Sequence, residues 1–123
     1  APEAIGYISA HGNSCPRWDR KETFILKKAF GDLAYQIPAS SIKGAIGHNF
    51  GAAGAFQVAS IALAFQANLL PPTANLEEPD PECDLDYIHG DARHTRVDAC
   101  LISNFGYGGV NAFMVLRRAS GDR

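Results

Sequence analysis

Between Gly44 and Leu76 this chain carries no Asp, Glu, Lys or Arg at all, and nothing else in it limits the fold so strongly. The apolar part of that stretch, Ala52 to Leu70, approaches the ~20 residues a bilayer requires. Gln57, Ser60, Gln66 and Asn68 interrupt it, however, and Ala and Gly dilute it. A helix buried in protein, over residues 51–68, is the better reading. Its apolar residues occupy all sides, which predicts cover on all sides. A 123-residue chain has room for one domain around such a helix. With 46% hydrophobic and 20% charged residues it is no disordered tail. Eleven basic against 13 acidic side chains, net charge -2, leave no basic face for nucleic acid.

Cysteines and the first residues bear on the setting. Cys15, Cys83 and Cys100 are an odd number with no CxxC pair, which fits a reducing, cytoplasmic compartment better than a disulfide scaffold. The chain opens Ala1-Pro2-Glu3 without Met, and no basic segment precedes an apolar one. No signal peptide is expected, and the chain reads as processed or as a piece of a longer one.

Elsewhere short apolar runs alternate with helical patterns. Residues 5–10 read as a buried strand ending at His11-Gly12. Asp19, with Glu22 three residues on, resembles a helix N-cap and its capping partner, and Gly31 closes that helix after Phe30. A second strand is expected at 37–40. Residues 41–48 hold too many glycines for regular structure and read as a loop. Pro71, Pro72, Pro79 and Pro81 make 69–86 an extended surface connection. Two last strands, 97–103 and 111–116, flank the turn Phe105-Gly106-Tyr107-Gly108-Gly109 and should pair antiparallel. The sum is an α/β fold with a mixed sheet flanked by helices.

His11, Lys43 and His48 all fall in glycine-rich surroundings at predicted strand-to-helix junctions, where α/β folds place their chemistry. Gly51-Ala52-Ala53-Gly54 allows close helix packing and anion stabilisation at a helix start. The turn at 105–109 is a hairpin connection that can also bring main-chain N–H groups near a carbonyl. It is neither a dinucleotide fingerprint nor a P-loop. Cys83, His89, His94 and Cys100 have zinc-ligand chemistry, but their gaps of five, four and five residues are wider than structural zinc knuckles use, so no metal is expected. Cys15 near His11 in sequence is not thereby a nucleophile.

Taken in order, these motifs resemble one family. His11-Gly12, Ser41-x-Lys43 and Gly47-His48-x-x-Gly51-Ala52-Ala53-Gly54 come first. Pro71-Pro72-Thr73-x-Asn75, Pro79-Asp80-Pro81-Glu82-Cys83-Asp84-Leu85-Asp86-Tyr87 and Asn104-Phe105-Gly106-x-Gly108-Gly109-x-Asn111 follow. Together they resemble the C-terminal part of a β-ketoacyl-acyl carrier protein synthase over about residues 5–116. The resemblance implies a thiolase-like fold, with residues 1–123 forming part of its C-terminal half. The first strand and helix of that half are missing, and the strand is expected at the centre of the sheet. It implies decarboxylative condensation of a malonyl thioester with an acyl-enzyme in fatty-acid or polyketide synthesis. His11 and His48 are the implied catalytic histidines, converging on one point, with Lys43 beside His48. The nucleophilic cysteine belongs to the N-terminal half, so the chain is expected to be inactive alone. Implied partners are that half, an acyl carrier protein whose phosphopantetheine carries the substrates, and a second subunit in a homo- or heterodimer. No cofactor, nucleic acid or membrane is implied.

Four positions depart from the family pattern. Asn13 and Cys15 stand where threonines usually line the pantetheine path, and Gln57 replaces a glutamate. Tyr107 replaces the second phenylalanine of the Gly-rich turn, which with Phe105 borders the acyl pocket. The rival reading is a non-catalytic partner resembling chain-length factors. Retention of His11, Lys43 and His48 argues against it. A thiolase would usually carry a cysteine in the Gly-rich turn.

Overall fold

The computed structural model describes residues 1–119. At its centre lies β1 (Tyr7–Ser9), buried along its whole length. A strand with no exposed face must be covered on both, and the successive side chains of β1 enter two separate cores. Tyr7 packs with Ile61, Ala64, Cys100 and Ile102. Ile8 packs with Leu26, Ala34, Ile37 and Ala39 on the other face. The first core is roofed by α3 (Ala53–Ala67) and the second by α1 (Pro16–Phe30), giving three layers.

The sheet order is β2 (Ala39–Ser40), β1, β5 (Ala99–Phe105), β6 (Asn111–Arg117). β1 runs parallel to both neighbours, and β5 and β6 form the expected antiparallel hairpin. No strand is missing from the centre. Tyr7, Ile8 and Ser9 pair directly with Cys100, Leu101 and Ile102. The open side is instead the outer edge of β6, where every residue but Leu116 is exposed.

Three local expectations also change. α1 starts at Pro16, a favoured first helical residue, so Asp19 lies inside the helix. Its carboxylate reaches back to the N–H of Asn13 at 3.1 Å. Residues 41–48 contain a short helix, α2 (Lys43–Ile46), which Gly47 closes at φ 73°. And α3 is covered on one face only. Ala53, Gln57, Ile61 and Ala64 lie on the sheet, while Phe56 and Leu63 on the opposite face are exposed. Phe50–Ala67 is long and apolar enough by composition to cross a membrane. Within this fold its inner face packs on β5 and β1.

The proline-rich connection crosses the surface as expected, with one addition: β3 (Leu69–Leu70) pairs antiparallel with β4 (Arg93–His94). Ion pairs tie it to α1, from Arg20 to Asp80 at 2.8 Å and Glu82 at 2.6 Å and from Lys27 to Asp84. All are solvated, so they position the loop more than they stabilise it.

Candidate active site

Parallel β1 and β2 end on the same side of the sheet, and the loops beyond them meet there. His11 leaves β1 almost wholly buried. His48 follows α2 and Gly47 and is exposed. Their rings meet edge-on with centroids 5.5 Å apart. Phe105 flanks His11 edge-on at 5.7 Å, and Phe50 stacks on His48 at 4.7 Å.

Main-chain donors decide which ring nitrogen carries the proton. The Phe105 N–H donates to His11 Nδ1 at 3.3 Å, and the Phe50 N–H donates to His48 Nδ1 at 3.2 Å. A nitrogen that accepts carries no hydrogen, so in the neutral rings the proton sits on Nε2. Burial, and then the charge of Lys43, hold the His11 pKa down at about 4, so this ring is neutral near pH 7.

Lys43 is buried, and its ammonium donates to the main-chain carbonyl of His11 at 2.7 Å. It is thereby attached to the His11 loop. Burial lowers its pKa, and Glu22 and Asp19 oppose that.

Glu22 is a site residue that sequence reasoning missed. Its oxygens accept the N–H groups of His11 at 2.8 Å and Gly12 at 2.9 Å, and the Ser103 hydroxyl. Burial raises its carboxyl pKa against those three donors. The readable signal was its position four residues before Leu26, on the inward face of α1. Ser41 adds a tie from β2, donating to the Gly12 carbonyl at 2.7 Å. Asn104 and Gln57 complete the surroundings, joined through their amides at 2.6 Å.

Both histidines line a groove of about 860 Å³. Asn13, Cys15, Phe105 and Tyr107 line the same groove, so every predicted binding residue faces it. Tyr107 is the most exposed of them, on a turn where Gly108 and Gly109 adopt φ of 75° and 81°. Among the described residues no three His, Cys, Asp or Glu side chains gather as metal ligands.

Two imidazoles, each accepting a main-chain N–H at Nδ1, thus meet at the carboxyl end of a mixed sheet. Residues 1–77 match the family model described as the beta-ketoacyl synthase C-terminal domain. The chain belongs to the β-ketoacyl synthase family. It is 50% identical over 118 residues to a putative polyketide beta-ketoacyl synthase 1 of Streptomyces virginiae, covering 96% of this chain and 28% of that protein. It is 47% identical over 118 residues to the 3-oxoacyl-[acyl-carrier-protein] synthase 2 of Coxiella burnetii, with the same two shares. Among solved structures, a type II polyketide ketosynthase in complex with its acyl-carrier protein superposes with a TM-score of 0.94 at 33% identity, covering 98% of this chain and 29% of that one. A beta-ketoacyl synthase from Burkholderia phymatum gives 0.89 at 38% identity, covering 96% of this chain and 28% of that one. The chain thus spans under a third of the length of these relatives.

Proposed function

We propose that this chain supplies the histidine side of a decarboxylating condensing site, working with a cysteine-bearing half of the same enzyme. The observation that carries the reading is the edge-on pair His11 and His48, each with Nδ1 accepting a main-chain N–H. A malonyl thioester carbonyl placed between them accepts both Nε2 hydrogens. As the bond to the carboxylate breaks, carbon dioxide leaves and the electron pair becomes an enolate whose negative oxygen both donors stabilise. The enolate carbon then attacks the acyl group held on the cysteine, forming the new carbon–carbon bond and releasing the thiolate.

Burial and then the charge of Lys43 keep His11 neutral, the Lys43 ammonium holds its carbonyl, and Glu22 accepts the N–H groups of His11 and Gly12. Asn13 and Cys15 border the path for a phosphopantetheine arm, and Phe105 and Tyr107 border the acyl pocket. An acyl carrier protein delivers the substrates, a second subunit completes the enzyme, and three free cysteines suit a reducing cytoplasm.

His11→Ala and His48→Ala, each in the natural protein, should lower malonyl decarboxylation by ~10²–10³ while acylation of the cysteine continues. Normal decarboxylation with only a lower melting temperature would mean that the rings merely tie loops together. The 123-residue chain by itself should not condense acyl thioesters. Acyl transfer by that chain, abolished by Cys15→Ala, would overturn this and make Cys15 the nucleophile.

A further inference from the structure

Gln57 projects from the inner face of α3 with 1% of its surface exposed, and both ends of its amide are used. Nε2 donates to the Ser9 carbonyl at 3.0 Å and the Ala10 carbonyl at 3.2 Å, with Ser9 Oγ also at 3.2 Å. Oε1 accepts from Asn104 Nδ2 at 2.6 Å. Carbonyl oxygens only accept, so they decide which way the Gln57 amide faces. That in turn obliges Asn104 to present its own NH₂ to Gln57.

The two strand ends joined in this way are the ones that hold His11. Ser9 and Ala10 precede it on β1. Asn104 precedes Phe105 on β5, and the Phe105 N–H is the donor to His11 Nδ1. We infer that Gln57 is a positioning residue: its amide clamps the ends of β1 and β5 so that the Phe105 N–H meets His11 Nδ1 and the imidazole proton stays on Nε2. The catalytic consequence rests on the role proposed above for His11, whereas the tautomer does not. An ionised carboxylate in place of this amide would set its negative oxygens against two carbonyls. The hydrogen bonds on the page therefore call for a group that donates as well as accepts.

Gln57→Met keeps the length and removes every hydrogen bond. Gln57→Asn keeps the amide but, one methylene shorter, reaches only one strand end. Both are made in the natural protein, and a second comparison pairs Gln57→Met with Asn104→Leu. The first readout is the ¹⁵N spectrum of the His11 ring, which separates the two tautomers without any substrate. The expected result is a change from one tautomer in the parent to a mixture in each variant. A loss in kcat of about 10² with KM little altered should accompany it, as misplacement of a reacting group costs. The double variant should lose no more than the worse single one, because both act on one clamp. A parental tautomer in folded Gln57→Asn, or strictly additive losses in the double variant, would overturn the inference. If His11→Ala spares decarboxylation while the Gln57 variants still mix tautomers, the clamp stands and the proposed role of His11 falls.

Discussion

His11 gets its chemistry from what surrounds it. An imidazole in water titrates near 6.5, and here burial, followed by Lys43, brings that down to about 4. Two measurements check this. An NMR titration of the natural protein should find His11 neutral down to about pH 5, with a midpoint near 4. The second is stability. Between about 4 and 6.5 the unfolded ring binds a proton that the folded ring does not, so the unfolded state is favoured as pH falls through that window. The contribution of His11 is fully present above about 6.5 and is lost progressively toward 4. His11→Gln should flatten this part of the stability profile. An unchanged slope would show that the folded ring titrates normally.

At the scale of elements, α2 shows how a few glycines carry a site. Gly44 lies against the connection that follows β3, and a Cβ there would sit 2.2 Å from the Ala74 carbonyl oxygen. That neighbour is main chain, itself pinned by the Asn75 amide donating to the Gly44 carbonyl at 2.9 Å, so it cannot turn aside. Gly44→Ala should therefore cost about 1–3 kcal/mol by overpacking. Because Lys43 is the adjacent residue, the substitution should also disturb its hydrogen bond to His11. Denaturant melts of the parent and variant read the first effect and the His11 titration reads the second. A variant as stable as the parent would mean that the connection moves freely. The opposite balance holds for α1 and the proline-rich loop, where solvated pairs such as Arg20 with Asp80 should each add little to stability.

At the scale of the whole molecule, two apolar surfaces have no cover among the described residues. Phe56 and Leu63 stand out from α3, and Val110, Phe113, Met114 and Val115 are each more than half exposed on or beside β6. Among the described residues β6 also offers an unpaired strand edge, which templates association with other strands. The 123-residue chain expressed alone should therefore be oligomeric or aggregated by light scattering. Val115→Lys combined with Leu63→Lys should shift it toward monomer. A monodisperse monomer with a cooperative melt would show that these faces need no partner. The strand expected to be missing from the centre of the sheet leaves no gap there, because β1 and β5 pair directly. The unpaired edge lies one strand beyond β5, on β6.

By itself the sequence determined the order of the four strands of the main sheet and the two long helices, the terminal hairpin and the identity of His11, Lys43 and His48 as candidates. These are local properties, carried by hydrophobic period, glycine spacing and motif order. Tertiary structure alone decided the rest. Alternation along β1 sends Tyr7 and Ile8 into different cores, yet which strand lies beside β1 depends on pairings some 90 residues apart in the chain. Glu22 reads as a capping residue because its spacing from Asp19 fits one. Only the approach of β1 and β5 to α1 places the His11, Gly12 and Ser103 donors around its carboxylate. Gln57 reads as one interruption of an apolar helix until Ser9, Ala10 and Asn104 close on its amide. A buried polar side chain takes its meaning from partners that must be satisfied in three dimensions, and spacing along the chain does not name them.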